Sequence, residues 1–329
     1  MDLSIIIVNW NTRELLAGCL SSVASSSVSI RSRADETLGP ESEPAKTNQE
    51  LLTLDRKGLA TEVIVVDNAS TDGSASMVQK RFPWVKLIAN RENAGYAGAN
   101  NQAIRQSESR YVLLLNSDTV VEADAVEMMV RFLDDHPGAA GCGPRLINAD
   151  GSFQPSCHPM LTPHREFWRL MFLDRLWRRA SYPQSMWTTR QPRPVEVIKG
   201  ACLLLRQQAL DEVGLLDERY FMYTEEMDLC YRLSHAGWEL WWIPQSVVLH
   251  YGEASSQQMA EEMYIQLYQS KVQFHRKFGG ERRAAYFRFL LFLAYAPRWL
   301  STVLSRPIFA GLADRERTYR RLLTELIDM

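Results

Sequence analysis

Glu62-Val63-Ile64-Val65-Val66-Asp67-Asn68-Ala69-Ser70-Thr71-Asp72-Gly73-Ser74 is the stretch from which the fold is read. Its first half is an unbroken, β-branched apolar run that ends in an acid. A short run without polar alternation reads as a strand buried on both faces, the kind found in parallel sheets. Its second half is a polar turn, after which residues 73–82 read as a helix. The same unit stands upstream, where Leu3-Ser4-Ile5-Ile6-Ile7-Val8 runs into Asn9-Trp10-Asn11. There Leu15, Leu16, Cys19, Leu20 and Val23 fall at helical spacing, with Thr12 at the N-cap position. Downstream, residues 85–89 read as a third strand, 96–107 as a helix and 111–115 as a fourth strand. Strands alternating with helices predict an α/β fold with a mostly parallel sheet. Ligands of such sheets bind outside the carboxyl ends of the strands. Three of those ends carry polar clusters: Asn9-Trp10-Asn11, Asp67-Asn68-Ala69-Ser70 and Asn116-Ser117-Asp118.

The 329 residues suffice for one large or two smaller domains with a core needing no staples. Lys plus Arg total 37 and Asp plus Glu 39, a balance that argues against a nucleic-acid binder. Five scattered cysteines contain no CxxC pair, which excludes a zinc ribbon or thioredoxin-like site and fits a reducing compartment. The N-terminal MDLSIIIVNWN has no basic n-region and reads as a strand rather than a signal peptide. No GxxxxGK[ST] or GxGxxG occurs, so P-loop and hydride-transfer chemistry lose support. Residues 25–60 are rich in Ser, Glu, Pro and Thr and read as a disordered insertion, with a short helix at 49–54.

Further along, residues 124–135 read as an amphipathic helix, 151–194 as irregular, and 195–205 as one strand. Residues 225–236 read as a helix, 240–243 and 246–250 as two short strands, and 256–278 as a longer helix.

Asp118, at a strand end, suits a divalent cation, although Asn-Ser-Asp is also ordinary turn chemistry. Asp67 can accept hydrogen bonds from a ribose or base, while Asp72 is explained by capping. Asn93-Ala94-Gly95-Tyr96-Ala97-Gly98 leads into a helix whose N-terminus can face an anion, or simply packs closely. Glu225-Glu226-Met227-Asp228 opens a helix, where acids favour the macrodipole; behind Phe221-Met222-Tyr223 one of them could equally be a general base. His250 ends an apolar strand and is either structural or a metal ligand.

Taken in order, these motifs resemble glycosyltransferase family 2, in particular its rhamnosyltransferase-like branch. Lys199-Gly200-Ala201-Cys202, Gly214-Leu215-Leu216-Asp217-Glu218 and His250-Tyr251-Gly252 complete the set, which spans roughly residues 1–255 outside the insertion. The resemblance implies a GT-A fold, a Rossmann-like sheet flanked by helices, and inverting transfer from a nucleoside-diphosphate sugar. The branch suggests dTDP-rhamnose as donor and a polysaccharide or lipid-linked acceptor in cell-envelope synthesis. It implies donor binding by Val8, Asn9, Asn11, Asp67, Asn68, Asn93, Gly95, Asn116, Ser117 and Asp118. It implies Mg²⁺ or Mn²⁺ on Asp118 and His250, and Glu226 as the base, with Glu225 and Asp228 as rivals. Asn116 departs from the family's first Asp, and Glu226 is one methylene longer than the usual Asp. The insertion also departs, the family's connection there being short.

The expected division is a nucleotide-sugar half (1–120), an acceptor and catalytic half of the same domain (121–255) and a helical region (256–329). Aromatic and basic residues between 164 and 193 stand where an acceptor loop would fall. Residues 282–312 mix arginines with large apolar side chains, which suits a helix in a membrane interface, or else one packed on the domain or on a second copy in a homo-oligomer. The expected location is cytoplasmic, peripheral to the inner face of the cell membrane. Two rival readings are a nucleotidyltransferase, disfavoured by the missing phosphate loop, and a silent sugar-nucleotide binder.

Overall fold

The computed structural model describes residues 1–26, 28–30, 59–173, 181–252, 260–305 and 313–329. The elements run β1 (Leu3–Asn9), α1 (Arg13–Ala24), β2 (Ser29–Ile30), β3 (Ala60–Asp67), α2 (Ser74–Arg81), β4 (Lys86–Ala89), α3 (Gly95–Ile104) and β5 (Tyr111–Asn116). Then come β6 (Thr119–Val121), α4 (Ala125–Asp135), β7 (Ala139–Ile147), β8 (Phe153–Gln154), β9 (Cys157–His158) and α5 (Pro163–Leu170). The chain continues through β10 (Arg193–Pro194), β11 (Val197–Ile198), β12 (Cys202–Arg206), α6 (Gln207–Val213), α7 (Glu225–His235), β13 (Glu239–His250), α8 (Ala260–Ser305) and α9 (Ala313–Glu325).

The main sheet has the order β10-β13-β7-β12-β5-β1-β3-β2, with β4 also on β3. Its half built from residues 1–116 is parallel throughout, and β12 then joins β5 antiparallel. The sheet therefore continues without a seam across residue 120. Alternate residues face opposite layers, as the two-residue period of a strand requires. Ile5, Ile7, Val63, Val65, Leu113 and Leu115 pack with α1, α2 and α4. Ile6, Ile64, Val66, Val112 and Leu114 pack with α3, α6 and α7. This is the expected α/β architecture with helices on both faces. A third core, including Tyr268, Phe287, Leu291 and Leu322, joins α8 to α9. All five cysteines are free and buried, and burial pushes the Cys19 thiol up to about 12, so it acts as packing.

Several sequence expectations are corrected. The proposed insertion begins with order, since Ser29 and Ile30 pair with Ala60 and Thr61; residues 31–58, with the expected helix at 49–54, lie outside the described residues. Thr12 occupies the N-cap position without capping: its hydroxyl donates to Asn9 Oδ1 at 2.7 Å instead. The stretch 195–205 is two strands in two sheets, broken at Lys199–Ala201 where the Lys199 amide bonds Ser156 O. Residues 239–250 form one strand with a register shift between Ile243 and Val247. The expected helix over 256–278 does end near its expected limit, at the kink on Gly280, whose φ of 71° lies outside helical space, and a further helical segment follows to Ser305.

Candidate active site

The strand register builds the site. Asn9 lies opposite Asp67 and Val8 opposite Asn116, so three strand ends finish on one line. Buried Asn9 donates from Nδ2 to Asp67 Oδ1 at 2.9 Å and to Ser70 Oγ at 3.1 Å. Asp67 Oδ2 accepts the Ser70 amide at 3.1 Å, and Asn11 Oδ1 accepts the Thr71 amide at 2.8 Å. Asn11 sits at φ 53°, a left-handed conformation that Asn tolerates. Thr12 Oγ1 links this network to Ser117 Oγ at 2.9 Å. These bonds tie the loops after β1, β3 and β5 into one rigid shelf.

Above the shelf lies a cavity of about 340 Å³. Val8, Trp10, Asn68, Asn93, Gly95, Asn116, Ser117 and Asp118 line it, together with Lys199, Gly200, Glu225, Glu226 and His250. Gly95 is required at its position. Its φ is 72°, and a Cβ there would stand 2.4 Å from the Phe221 carbonyl oxygen. That same carbonyl accepts the Tyr96 amide at 2.8 Å, and the Tyr96 hydroxyl donates to Gly200 O at 2.8 Å. The start of α3 thus clamps the segments before α7 and β12 against the cavity.

One corner brings Asp118 and His250 together. His250 Nε2 stands 3.3 Å from Asp118 Oδ1 and 3.4 Å from Asn116 Nδ2. The tautomer follows from Gln154. Its Nε2 donates to His250 O at 3.1 Å and to Asn148 Oδ1 at 2.8 Å, which leaves Oε1 to accept from His250 Nδ1 at 2.7 Å. With the proton on Nδ1, Nε2 presents a lone pair toward the Asp118 carboxylate. Two acceptors facing each other suit a cation between them, and an outer partner on Nδ1 is the usual support of a metal-binding His. Mg²⁺ or Mn²⁺ fits this donor set. No group of three His, Cys, Asp or Glu occurs among the described residues, so such an ion would take its other ligands from water or substrate.

Another part of the lining is the start of α7. Tyr223 and Thr224 take φ values of 68° and 75°, uncommon for residues with a Cβ, so the turn directly before α7 is strained. This turn aims two carboxyls inward. Glu225 Oε2 and Glu226 Oε2 are buried with no hydrogen-bond partner among the described residues. Burial pushes both carboxyls up, and the neighbouring Glu226 charge pushes Glu225 well above the usual range. Backbone amides at the helix start and the Lys199 ammonium restrain the rise at Glu226.

Not every expected residue reaches the cavity. Asn9, Asn11 and Asp67 are not among its lining residues: Asn9 and Asp67 bond each other, and Asn11 bonds the turn at Ser70 and Thr71. Asp228 is no rival base. It is fully buried and held by Arg232 Nε at 2.7 Å, Lys277 Nζ at 2.6 Å and Tyr220 Oη at 3.2 Å. Sequence reading gave no role to Lys199, although its motif was visible, and missed Gln154 and His158. Burial lowers His158 to about 4, so it faces the cavity neutral. It arrives there only through the pairing of β9 with β11, which no local pattern announces.

Residues 43–214 match the family model described as Glycosyl transferase family 2. The chain belongs to glycosyl transferase family 2. It is 34% identical over 216 residues, 59% of its length and 68% of the relative's, to an N-acetylglucosaminyl-diphospho-decaprenol L-rhamnosyltransferase of Mycobacterium tuberculosis. It is 26% identical over 175 residues, 52% of each chain, to the low-salt glycan biosynthesis hexosyltransferase Agl10 of Haloferax volcanii. Among solved structures, the mannosyltransferase PcManGT from Pyrobaculum calidifontis, in complex with GDP-Man and Mn²⁺, superposes with TM-score 0.53 at 15% identity, covering 99% of this chain and 86% of that one. GalNAc-T7 with UDP, GalNAc and Mn²⁺ gives 0.55 at 14%, covering 100% and 56%. These glycosyltransferases share the GT-A fold with this family 2 member.

Proposed function

We propose that this family 2 glycosyltransferase is an inverting, metal-dependent enzyme that moves a deoxyhexose, rhamnose from its dTDP donor, onto a lipid-linked or polysaccharide acceptor in envelope glycan synthesis. The observation that carries the reading is that one cavity is lined both by the Asp118–His250 pair and by Glu225 and Glu226, each with a buried carboxyl oxygen that has no hydrogen-bond partner among the described residues. The M. tuberculosis relative's L-rhamnosyl transfer to a diphospho-lipid supports the choice of sugar and acceptor.

In this reading the donor's nucleoside rests on the shelf edge at Val8, Trp10, Asn68 and Asn93. Asp118 and His250 would hold the cation, which would supply positive charge to offset that of a departing diphosphate. Glu226 takes the proton of the acceptor hydroxyl as its oxygen bonds the anomeric carbon from the face opposite the diphosphate. The old carbon–oxygen bond breaks and the nucleoside diphosphate leaves. Protonated Glu225 donates a hydrogen bond to substrate, and Lys199 keeps Glu226 ionised enough to act as a base.

The test is transfer from a panel of nucleoside-diphosphate sugars to a polyprenyl-diphospho-N-acetylglucosamine, with Mn²⁺, Mg²⁺ or chelator. The expected result is metal-dependent release of nucleoside diphosphate with dTDP-rhamnose, and a product of inverted anomeric configuration by NMR. Retained configuration, or turnover unaffected by chelator, would overturn the mechanism; transfer of another sugar alone would overturn the donor.

A further inference from the structure

Beyond the kink at Gly280, α8 is apolar on two opposite sides. Ala284, Phe287 and Leu291 face α9 and the core they share with it. On the far side Phe289, Phe292, Leu293, Leu300 and Leu304 are 54%, 51%, 40%, 52% and 68% exposed. At 100° per residue these five fall within an arc of about 120°, a continuous stripe rather than scattered exposure. A separate exposed ring stands at the end of α5, on the side of α8 away from the stripe. Phe172 is 78% exposed, and the Arg298 guanidinium stands 5.3 Å from its ring centroid while donating to Leu170 O. A helix apolar all round needs cover on both sides.

The charge pattern selects the cover. Residues 282–312 hold five arginines, at 282, 283, 288, 298 and 306, and no Asp or Glu. A second copy applied to this stripe would bring the same unbalanced arginines together. An anionic bilayer complements them, and arginine can bury its stem while its head reaches phosphate. No described helix is long and apolar enough to cross a membrane, so the geometry is that of a helix lying in the interface.

We propose that the exposed apolar stripe on the second half of α8 docks the protein in the headgroup region of an anionic phospholipid bilayer. The stripe does not depend on the catalytic reading, and its test needs neither donor nor acceptor. The full chain is sedimented with vesicles of phosphatidylcholine alone or with 30% phosphatidylglycerol, beside the variants Phe289→Glu/Leu293→Glu and Arg282→Glu/Arg288→Glu. The expected result is partitioning at least about tenfold stronger onto the anionic vesicles, reduced about tenfold or more by either variant. Circular dichroism and the melting temperature check that each variant is folded. Wild type remaining in the supernatant with anionic vesicles would overturn the proposal, as would equal binding by folded variants. A dimer in light scattering that the Glu pair dissociates, with no vesicle binding, would assign the stripe to a second copy instead.

Discussion

Glu226 and Asp228 stand two residues apart on one helix in opposite surroundings. Glu226 has an unpartnered buried oxygen in the cavity, whereas Asp228 spends its carboxylate on Arg232, Lys277 and Tyr220. Glu226→Gln should lower kcat by about 10³-fold, the scale of a lost general base, while donor affinity by calorimetry stays within about twofold. Retained turnover would move the base to another residue. Asp228→Asn should do the reverse. Removing one partner from a buried ion-pair network strands the others and costs about 3 kcal/mol, read in denaturant titration, with kcat of the folded fraction kept. Lys199 acts on Glu226 through charge. A base works only when deprotonated, so kcat/KM should fall as pH drops through the Glu226 pKa, which burial raises. Lys199→Met removes a cation that favours the ionised form, so that acidic limb should move to higher pH, whereas Lys199→Arg should leave it in place. An unmoved limb in the Met variant would separate Lys199 from the base.

At the scale of elements, what was legible in sequence is what local pattern encodes. Each unbroken apolar run became a strand, and the polar residues directly after β1, β3 and β5 arrived at one sheet edge because parallel strands share a direction. What was not legible depends on partners distant in the chain. Lys199 and Gly200 leave the strand pattern because the Tyr96 hydroxyl and Ser156 carbonyl, 104 and 43 residues away, bind the backbone there. Gln154 and His158 sit in a stretch without periodicity and gain meaning only from His250 and β11. Asp67 looked like a ligand-facing acid because it ends a strand, and the partner that absorbs it, Asn9, is 58 residues upstream. The clamp at the start of α3 is equally non-local. Gly95→Ala forces either the loop carrying Phe221 or α3 to move, since 2.4 Å leaves no room for a methyl group. A loss of about 1–3 kcal/mol and at least a tenfold fall in kcat/KM should follow, because the displaced segment leads directly into Glu225 and Glu226. Wild-type kinetics in Gly95→Ala would mean that the clamp does not set the carboxyl positions.

Across the whole molecule, acid stability reports on histidines buried in neutral form, above all in α8. His275, on the inner face of α8, is fully buried between Phe274 and Phe287, and neither ring nitrogen has a hydrogen-bond partner among the described residues. Burial, with Arg283 and Lys271 nearby and only Glu166 opposing them, pushes it down to about 3 from an ordinary 6.5. Between those values the unfolded chain holds a proton that the folded protein does not. Stability therefore rises with pH across that window, by up to about 1.4 kcal/mol per pH unit, and is lost as pH falls from 6.5 toward 3. His158, lowered to about 4, adds a slope of the same sign. Glu225 and Glu226, whose folded pKa values are raised, bind protons that the unfolded chain has lost, so their slope has the opposite sign and masks part of the histidine effect. Glu166, held down to about 2 chiefly by Lys271 and Arg169 against its burial, contributes only below about 4.5. The difference between wild type and His275→Phe isolates one residue, since the other groups remain in both proteins and the pocket is already aromatic. That difference should grow in favour of the variant by about 1 kcal/mol per pH unit from pH 6.5 down to pH 5, measured by urea titration at each pH, and should be flat above pH 7. A difference independent of pH would show that the imidazole finds a proton acceptor in the folded protein and is not held neutral between the two halves of α8.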